Sequence, residues 1–187
     1  KNYPEQQFAL IDAVCEGEQP ENVTSLLFED NASAYLTGLI AGRMTETNKV
    51  GFIGGMESPV ISKFDYGFRA GVKAANPDAE VMVQYANSFT DSALGKTIAN
   101  QMHSKNADII FTCAGAVGIG AIEAAKENGK KAIGVDQDQN ALAPKNVITS
   151  AMKNIDVAVV ELLSKVVDGS YKGGEVIINT LAMNGVG

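Results

Sequence analysis

Histidine and cysteine are scarce in this sequence, and long apolar runs are missing. The single histidine, His103, leaves a Ser-His-Asp triad or a histidine-based metal site short of parts. The two cysteines, Cys15 and Cys113, stand 98 positions apart. That is neither a disulfide framework nor a metal-ligand spacing. Both lie beside apolar stretches and read as buried thiols. No apolar run approaches the ~18–20 residues of a membrane span, and Lys1-Asn2-Tyr3-Pro4-Glu5 holds no apolar signal segment. Basic residues are outnumbered, 15 Lys and Arg against 22 Asp and Glu, for a net charge of −7 and a pI near 4.7. This argues against binding a nucleic-acid backbone, which needs a basic face. Also missing are G-x-S-x-G, the P-loop pattern and H-E-x-x-H, and no carboxylate pair stands out as an acid/base couple.

What is present is the balance of a folded α/β protein. Hydrophobic residues make up 45% and charged residues 20% of 187, enough apolar side chain for a core. At ~150 residues per domain this is one ordinary domain or slightly more. Short apolar runs occur at Phe8–Ile11, Val23–Phe28, Val50–Ile53, Val81–Val83, Ile109–Phe111, Ala132–Val135, Val147–Ile148 and Val176–Ile178. Being nearly continuous, they predict strands buried on both faces of a parallel sheet. Helical spacing links Val60, Ile61, Phe64, Phe68 and Val72; then Leu94, Ile98 and Met102; then Ile155, Val159, Leu162, Leu163 and Val166. Asp91 suits an N-cap, Pro59 a first helical turn, and Gly129 and Gly169 helix stops. Strand starts near 50, 81, 109 and 132 have the spacing of successive βαβ units. The prediction is a doubly wound, Rossmann-like α/β sheet.

No convincing helix separates the strand signals at 8 and 23, and both chain ends are abrupt. The expectation is a fragment of a longer chain, with an exposed sheet edge around Phe8–Ile11 and Val23–Leu27. Such an edge favours a dimer, a swapped assembly or a partly disordered N-terminus.

Several candidate sites lie where strands end, which is where α/β proteins bind ligands. Gly115-Ala116-Val117-Gly118-Ile119-Gly120 has the pattern G-x-x-G-x-G, not the dinucleotide fingerprint. It is a turn offering free amides to a ligand, or simply a tight turn. Asp136 ends a strand, and its carboxylate can accept two sugar hydroxyls or cap a turn. The run from Asp136 to Asn140 is not a calcium loop, because Ala141 and Val147 stand where Gly and Glu are required. Asp12 ends the first strand in the same manner. Phe89, in Ser88-Phe89-Thr90-Asp91, can stack on a flat ligand or plug the core. Gly54-Gly55-Met56-Glu57-Ser58-Pro59 forms a second lip or a turn. Lys153 opens the last helix, where a cation is disfavoured; it reaches an anion or is a solvated surface lysine.

In order along the chain, Val50-Gly51-Phe52-Ile53-Gly54-Gly55-Met56, Phe64-Asp65-Tyr66-Gly67-Phe68-Arg69-Ala70-Gly71 and Ser88-Phe89-Thr90-Asp91 resemble the basic membrane protein family. These are the PnrA-like substrate-binding lipoproteins of ABC transporters. Ala114–Gly118, Gly134–Gln139 and Asn146–Lys153 continue the resemblance, which covers essentially the whole chain. It implies a type I periplasmic-binding-protein fold, whose two lobes close over a ligand, purine nucleosides in some members and other small solutes in other branches. Residues 1–28 would end the first lobe and 29–152 form most of the second. The helix over 153–169 would return to the first lobe, and 173–180 to the second. The resemblance assigns base stacking to Phe89, the ribose hydroxyls to Asp136 with help from Lys153, base contact to Asp12, and a close backbone approach to the sugar to Gly115. It implies a non-catalytic receptor without cofactor or metal, lipid-anchored outside the cytoplasm and partnered by a permease. The family's lipidated cysteine matches neither Cys15 nor Cys113. Two other readings stand beside it. One is the ligand-sensing domain of a transcription regulator, which shares the fold. The other is a small α/β enzyme using Asp136 and Lys153 as acid and base, which releasing base from a nucleoside would reveal.

Overall fold

A computed structural model describes residues 3–187. The chain divides into two compact units, 30–152 and the pair of segments 1–29 with 153–187. Every predicted strand is present.

In the larger unit, α1 (Asp30–Met44) leads into β3 (Lys49–Gly54), α2 (Pro59–Ala75), β4 (Glu80–Tyr85) and α3 (Ser92–Ser104). Next come β5 (Ile109–Cys113), α4 (Ala116–Glu127), β6 (Lys131–Asp136) and β7 (Val147–Met152). The five strands are parallel in the order β4-β3-β5-β6-β7. The chain leaves β3 toward one edge and returns to β5 on its other side, so the topological switch point lies between the ends of β3 and β5.

Alternate strand residues feed two cores. Val50, Phe52, Ile109, Phe111, Ile133 and Val135 pack beneath α1 and α2, against Ala34, Phe64, Phe68 and Val72. Ile53 and Ile110 pack beneath α3 and α4, against Ile98, Met102, Val117 and Ala121. Burial on both faces explains the near-continuous apolar runs of β3, β5 and β6. The edge strand β4, expected to be buried as well, is half-buried to exposed along its length because it has one neighbour only. Helix starts follow ordinary capping chemistry: Ser58 Oγ accepts from Ile61 N at 3.3 Å, with Pro59 following, and Asp91 Oδ1 accepts from Leu94 N at 2.9 Å.

Helix α1 has no counterpart among the sequence-predicted helices. Its buried residues are Ser33, Ala34, Thr37, Gly38, Ala41 and Gly42, beside Asp30, so no apolar stripe marks its inner face. Those small residues let it approach α2 at backbone distance. A Cβ on Gly38 would strike the Phe68 carbonyl oxygen and lie 2.9 Å from Val72 N. A Cβ on Gly71 would strike the Tyr35 carbonyl oxygen and lie 2.9 Å from Leu39 N.

The smaller unit holds β1 (Phe8–Ile11), β2 (Val23–Phe28) and β8 (Val176–Asn179), parallel in the order β1-β2-β8. Helix α5 (Ile155–Val167) belongs to the same unit, and its Ala158 and Leu162 pack with Leu26, Phe28 and Val186. Two expectations are corrected here. Residues 173–180 do not return to the larger unit, because β8 pairs with β2, matching Ser25 to Val176 and Phe28 to Asn179. Val23–Leu27 is not an edge, because β2 is flanked on both sides; the open edges belong to β1 and β8.

Candidate functional site

The carboxyl ends of β3, β4 and β5 converge on one aromatic. Phe89 sits in the loop after β4, and its carbonyl oxygen accepts from Ala116 N at 2.8 Å, at the start of α4. Ser88 Oγ accepts from Thr90 N and Asp91 N, both at 3.2 Å, which folds the loop tightly. The ring lies against Gly55, just past β3: a Cβ on Gly55 would overlap two ring carbons and lie 2.8 Å from Phe89 Cζ. The Phe89 loop thus reaches from the β4 edge across the switch point. Phe89 is 39% exposed, so its ring is not a core plug.

Gly115 caps α4 with φ 57° and ψ −128°, a conformation L side chains rarely adopt. A Cβ there would also lie 2.8 Å from the Phe89 carbonyl oxygen. Glycine is needed at this position for conformation and for space.

Asp136 ends β6 and is exposed. Gln137 N donates to Val135 O at 2.8 Å while Asp136 holds φ 66°, a γ-turn of the rarer, strained hand. The loop is pinned by Gln139, whose Oε1 accepts from Val135 N at 3.0 Å and whose N donates to Ser150 Oγ at 3.1 Å. Strain of this kind, held by surrounding bonds, is typical of functional positions. Among the described residues, six non-glycine residues have positive φ; four are Asn, and the other two are Asp136 and Asp12 (φ 57°). Asn and Asp both adopt this conformation more readily than other non-glycine residues, and the two aspartates are the ones that stand directly at the carboxyl ends of β1 and β6.

In the smaller unit the structure brings Asp12 and Lys153 together. Lys153 Nζ donates to Asp12 Oδ2 at 2.7 Å and lies 5.4 Å from the centroid of the Phe28 ring. Lys153 is only 7% exposed, so it is not a solvated surface lysine. Nor does it open the helix: α5 begins at Ile155, and Lys153 bridges to Val186 in antiparallel fashion. A buried ammonium needs a compensating anion, and Asp12 supplies one.

Other titratable groups are structural. Burial, then the charge of Asp65, pushes the Tyr85 hydroxyl up to about 12; it donates to Asp65 Oδ2 at 3.3 Å, and Asp65 also pairs with Arg69 at 2.9 Å. Burial holds His103 below its ordinary value, with Nδ1 2.9 Å from the Ala107 carbonyl oxygen. Among the described residues, no three His, Cys, Asp or Glu side chains group to hold a metal ion. No helix of the described residues is long and apolar enough to cross a membrane.

In the sequence Gly54-Gly55 reads as a second lip of the cleft or a turn, and nothing there shows that Gly55 seats Phe89. The signal was a glycine directly after a strand, which does not show what occupies the space. Gln139 and Ser150, which hold the Asp136 turn, lie inside the runs that carry the family resemblance, but nothing in those runs marks them as partners of the turn.

A family model described as "ABC transporter substrate-binding protein PnrA-like" matches residues 1–187. The chain is 41% identical over 203 aligned positions to the "ABC transporter nucleoside-binding protein BmpA" of Lactococcus lactis subsp. cremoris, covering 100% of this chain and 57% of that protein. The crystal structure of an ABC transporter solute-binding protein from Aeropyrum pernix K1 superposes with a TM-score of 0.92 at 34% identity, over 100% of this chain and 54% of that one. A transcriptional activator of the comK gene from Bacillus halodurans superposes with a TM-score of 0.87 at 27% identity, over 100% and 63%. The chain spans little more than half the length of the first two.

Proposed function

The chain belongs to the PnrA-like family of ABC transporter substrate-binding proteins, and on that premise we propose that it carries part of the binding site of a non-catalytic receptor for purine nucleosides. The observation that carries the reading is Phe89: a half-exposed aromatic seated at the switch point of a parallel sheet. A ring fixed on one side and open on the other suits stacking on a flat base. Asp136, on the same carboxyl edge of the sheet, accepts the ribose hydroxyls, and the Gly115 turn brings backbone close to the sugar. In the smaller unit, Asp12 accepts from the base and Lys153 holds the Asp12 carboxylate. The protein stands outside the cytoplasm, held to the membrane by a lipid anchor, and hands its ligand to a permease.

Titration calorimetry on the protein at its natural full length tests this, with inosine, guanosine, adenosine, cytidine and ribose. The expected result is tight binding of purine nucleosides, recovered unchanged by chromatography. Release of free base would restore the enzyme reading. Silence across the panel in a folded protein would remove the nucleoside reading and leave the fold.

The likeness to the comK activator favours a second reading, a sensor module in a regulator. A DNA-binding domain elsewhere in the natural protein decides between them.

A dimer through β1 is part of the same proposal. Among the described strands β1 pairs only with β2, and Phe8-Ala9-Leu10-Ile11 carries no charge or proline to block pairing at its open edge. Light scattering on the 187-residue chain is expected to give twice the monomer mass of 19.6 kDa. A monomer mass would overturn this.

A further inference from the structure

We infer that Gly55 is a positioning residue whose missing side chain sets the place of the Phe89 ring and, through it, the site's selectivity for flat ligands. The selectivity half rests on the nucleoside reading; the positioning half does not.

Gly55 is not glycine for the sake of its backbone. The glycines with left-handed φ among the described residues are Gly17, Gly115, Gly129, Gly169 and Gly174, and Gly55 is not one of them. Its conformation is open to alanine, so the requirement is space. That space is taken by one neighbour: the three atoms nearest a Cβ at 55 are Cε1, Cδ1 and Cζ of Phe89. Gly38, Gly71 and Gly95 differ, since the atoms nearest a Cβ there are backbone atoms. The β3 end itself is well held, with Gly55 N donating to Cys113 O at 3.0 Å and Asn87 N donating to Gly55 O at 2.9 Å. Below the ring, then, nothing is free to yield; above it lies the exposed side of a 39% exposed residue. The backbone of Phe89 is fixed through its carbonyl bond to Ala116 N. A methyl at 55 therefore acts on χ1 and χ2 of Phe89, swinging the ring toward solvent while strand and loop keep their places. A stacking partner must hold its plane for a base to lie on it, so the ligand pays for the displaced ring even though no atom of Gly55 need touch it.

The test uses Gly55→Ala, Phe89→Leu and the double variant in the protein at its natural full length, labelled with fluorophenylalanine. Phe89→Leu identifies the Phe89 resonance by its loss. In Gly55→Ala that resonance moves while the other phenylalanine signals stay. The stability cost of Gly55→Ala, read by urea unfolding, falls in the Phe89→Leu background, because leucine lacks Cε1 and Cζ, two of the three atoms that crowd the added Cβ. An unmoved resonance, or an equal cost in both backgrounds, overturns the positioning role. Inosine affinity falls roughly tenfold or more in Gly55→Ala. Unchanged inosine affinity with a displaced ring overturns the selectivity half. If the unsubstituted protein does not bind inosine, the nucleoside reading and the selectivity half fall together, while resonance and unfolding still decide the positioning.

Discussion

Gly71→Val is expected to lower the unfolding free energy by roughly 3 kcal/mol, or roughly 6–12 °C in Tm for a domain of this size. The collision is with the Tyr35 carbonyl and the Leu39 nitrogen, which belong to a helix backbone and have no rotamer to change. Relief requires α1 and α2 to move apart, and that opens contacts along both helices. Gly38 faces Phe68 and Val72 in the reciprocal way, so Gly38→Val has the same consequence. Ala70→Val, on the exposed side of α2, introduces the same β-branched residue without the collision and is expected to cost under about 1 kcal/mol. Urea unfolding followed by circular dichroism separates the two. Equal losses for Gly71→Val and Ala70→Val would mean that helix propensity, not close packing, sets the cost.

The second large effect is on binding. Asp136→Ala is expected to weaken purine nucleoside affinity by roughly a hundredfold or more. Hydrogen bonds to a charged acceptor contribute about 1.5–3 kcal/mol each, two are proposed, and about 1.4 kcal/mol is tenfold. The γ-turn fixes the backbone of Asp136, so little of that energy goes into ordering the loop. Phe89→Ala is expected to cost roughly tenfold to a hundredfold, the range for losing one base–aromatic stack. Calorimetry on both variants, with circular dichroism to establish that they fold, reads the effect. Full affinity in Asp136→Ala would exclude the ribose role, and full affinity in Phe89→Ala would exclude stacking.

The pattern of apolar runs was enough to locate the eight described strands, but burial on both faces accounts only for β3, β5 and β6, which are apolar almost throughout. Strands β1, β4 and β8 are largely exposed and stand out by their short β-branched and apolar runs. Capping at Asp91 and Pro59 was legible because it is local chemistry, complete within four residues. The ordered motifs carried the family resemblance for the same reason: a run such as Ser88–Asp91 does not depend on what folds against it. Helix α1 was not legible, since its buried face is built of Gly, Ala, Ser and Thr, whose value lies in how near a partner backbone can come. The partner of β8 was not legible either, because nothing in Val176–Asn179 names the strand beside it. In the sequence Lys153 is either a lysine that reaches an anion or a solvated one, and the fold decides for the anion by setting Asp12, 141 positions away, at 2.7 Å from its ammonium. Phe89 and Gly55 were each visible as residues at strand ends. That the one occupies the space the other leaves empty is a fact of three dimensions, because sequence records which groups are present and only packing decides which of them meet.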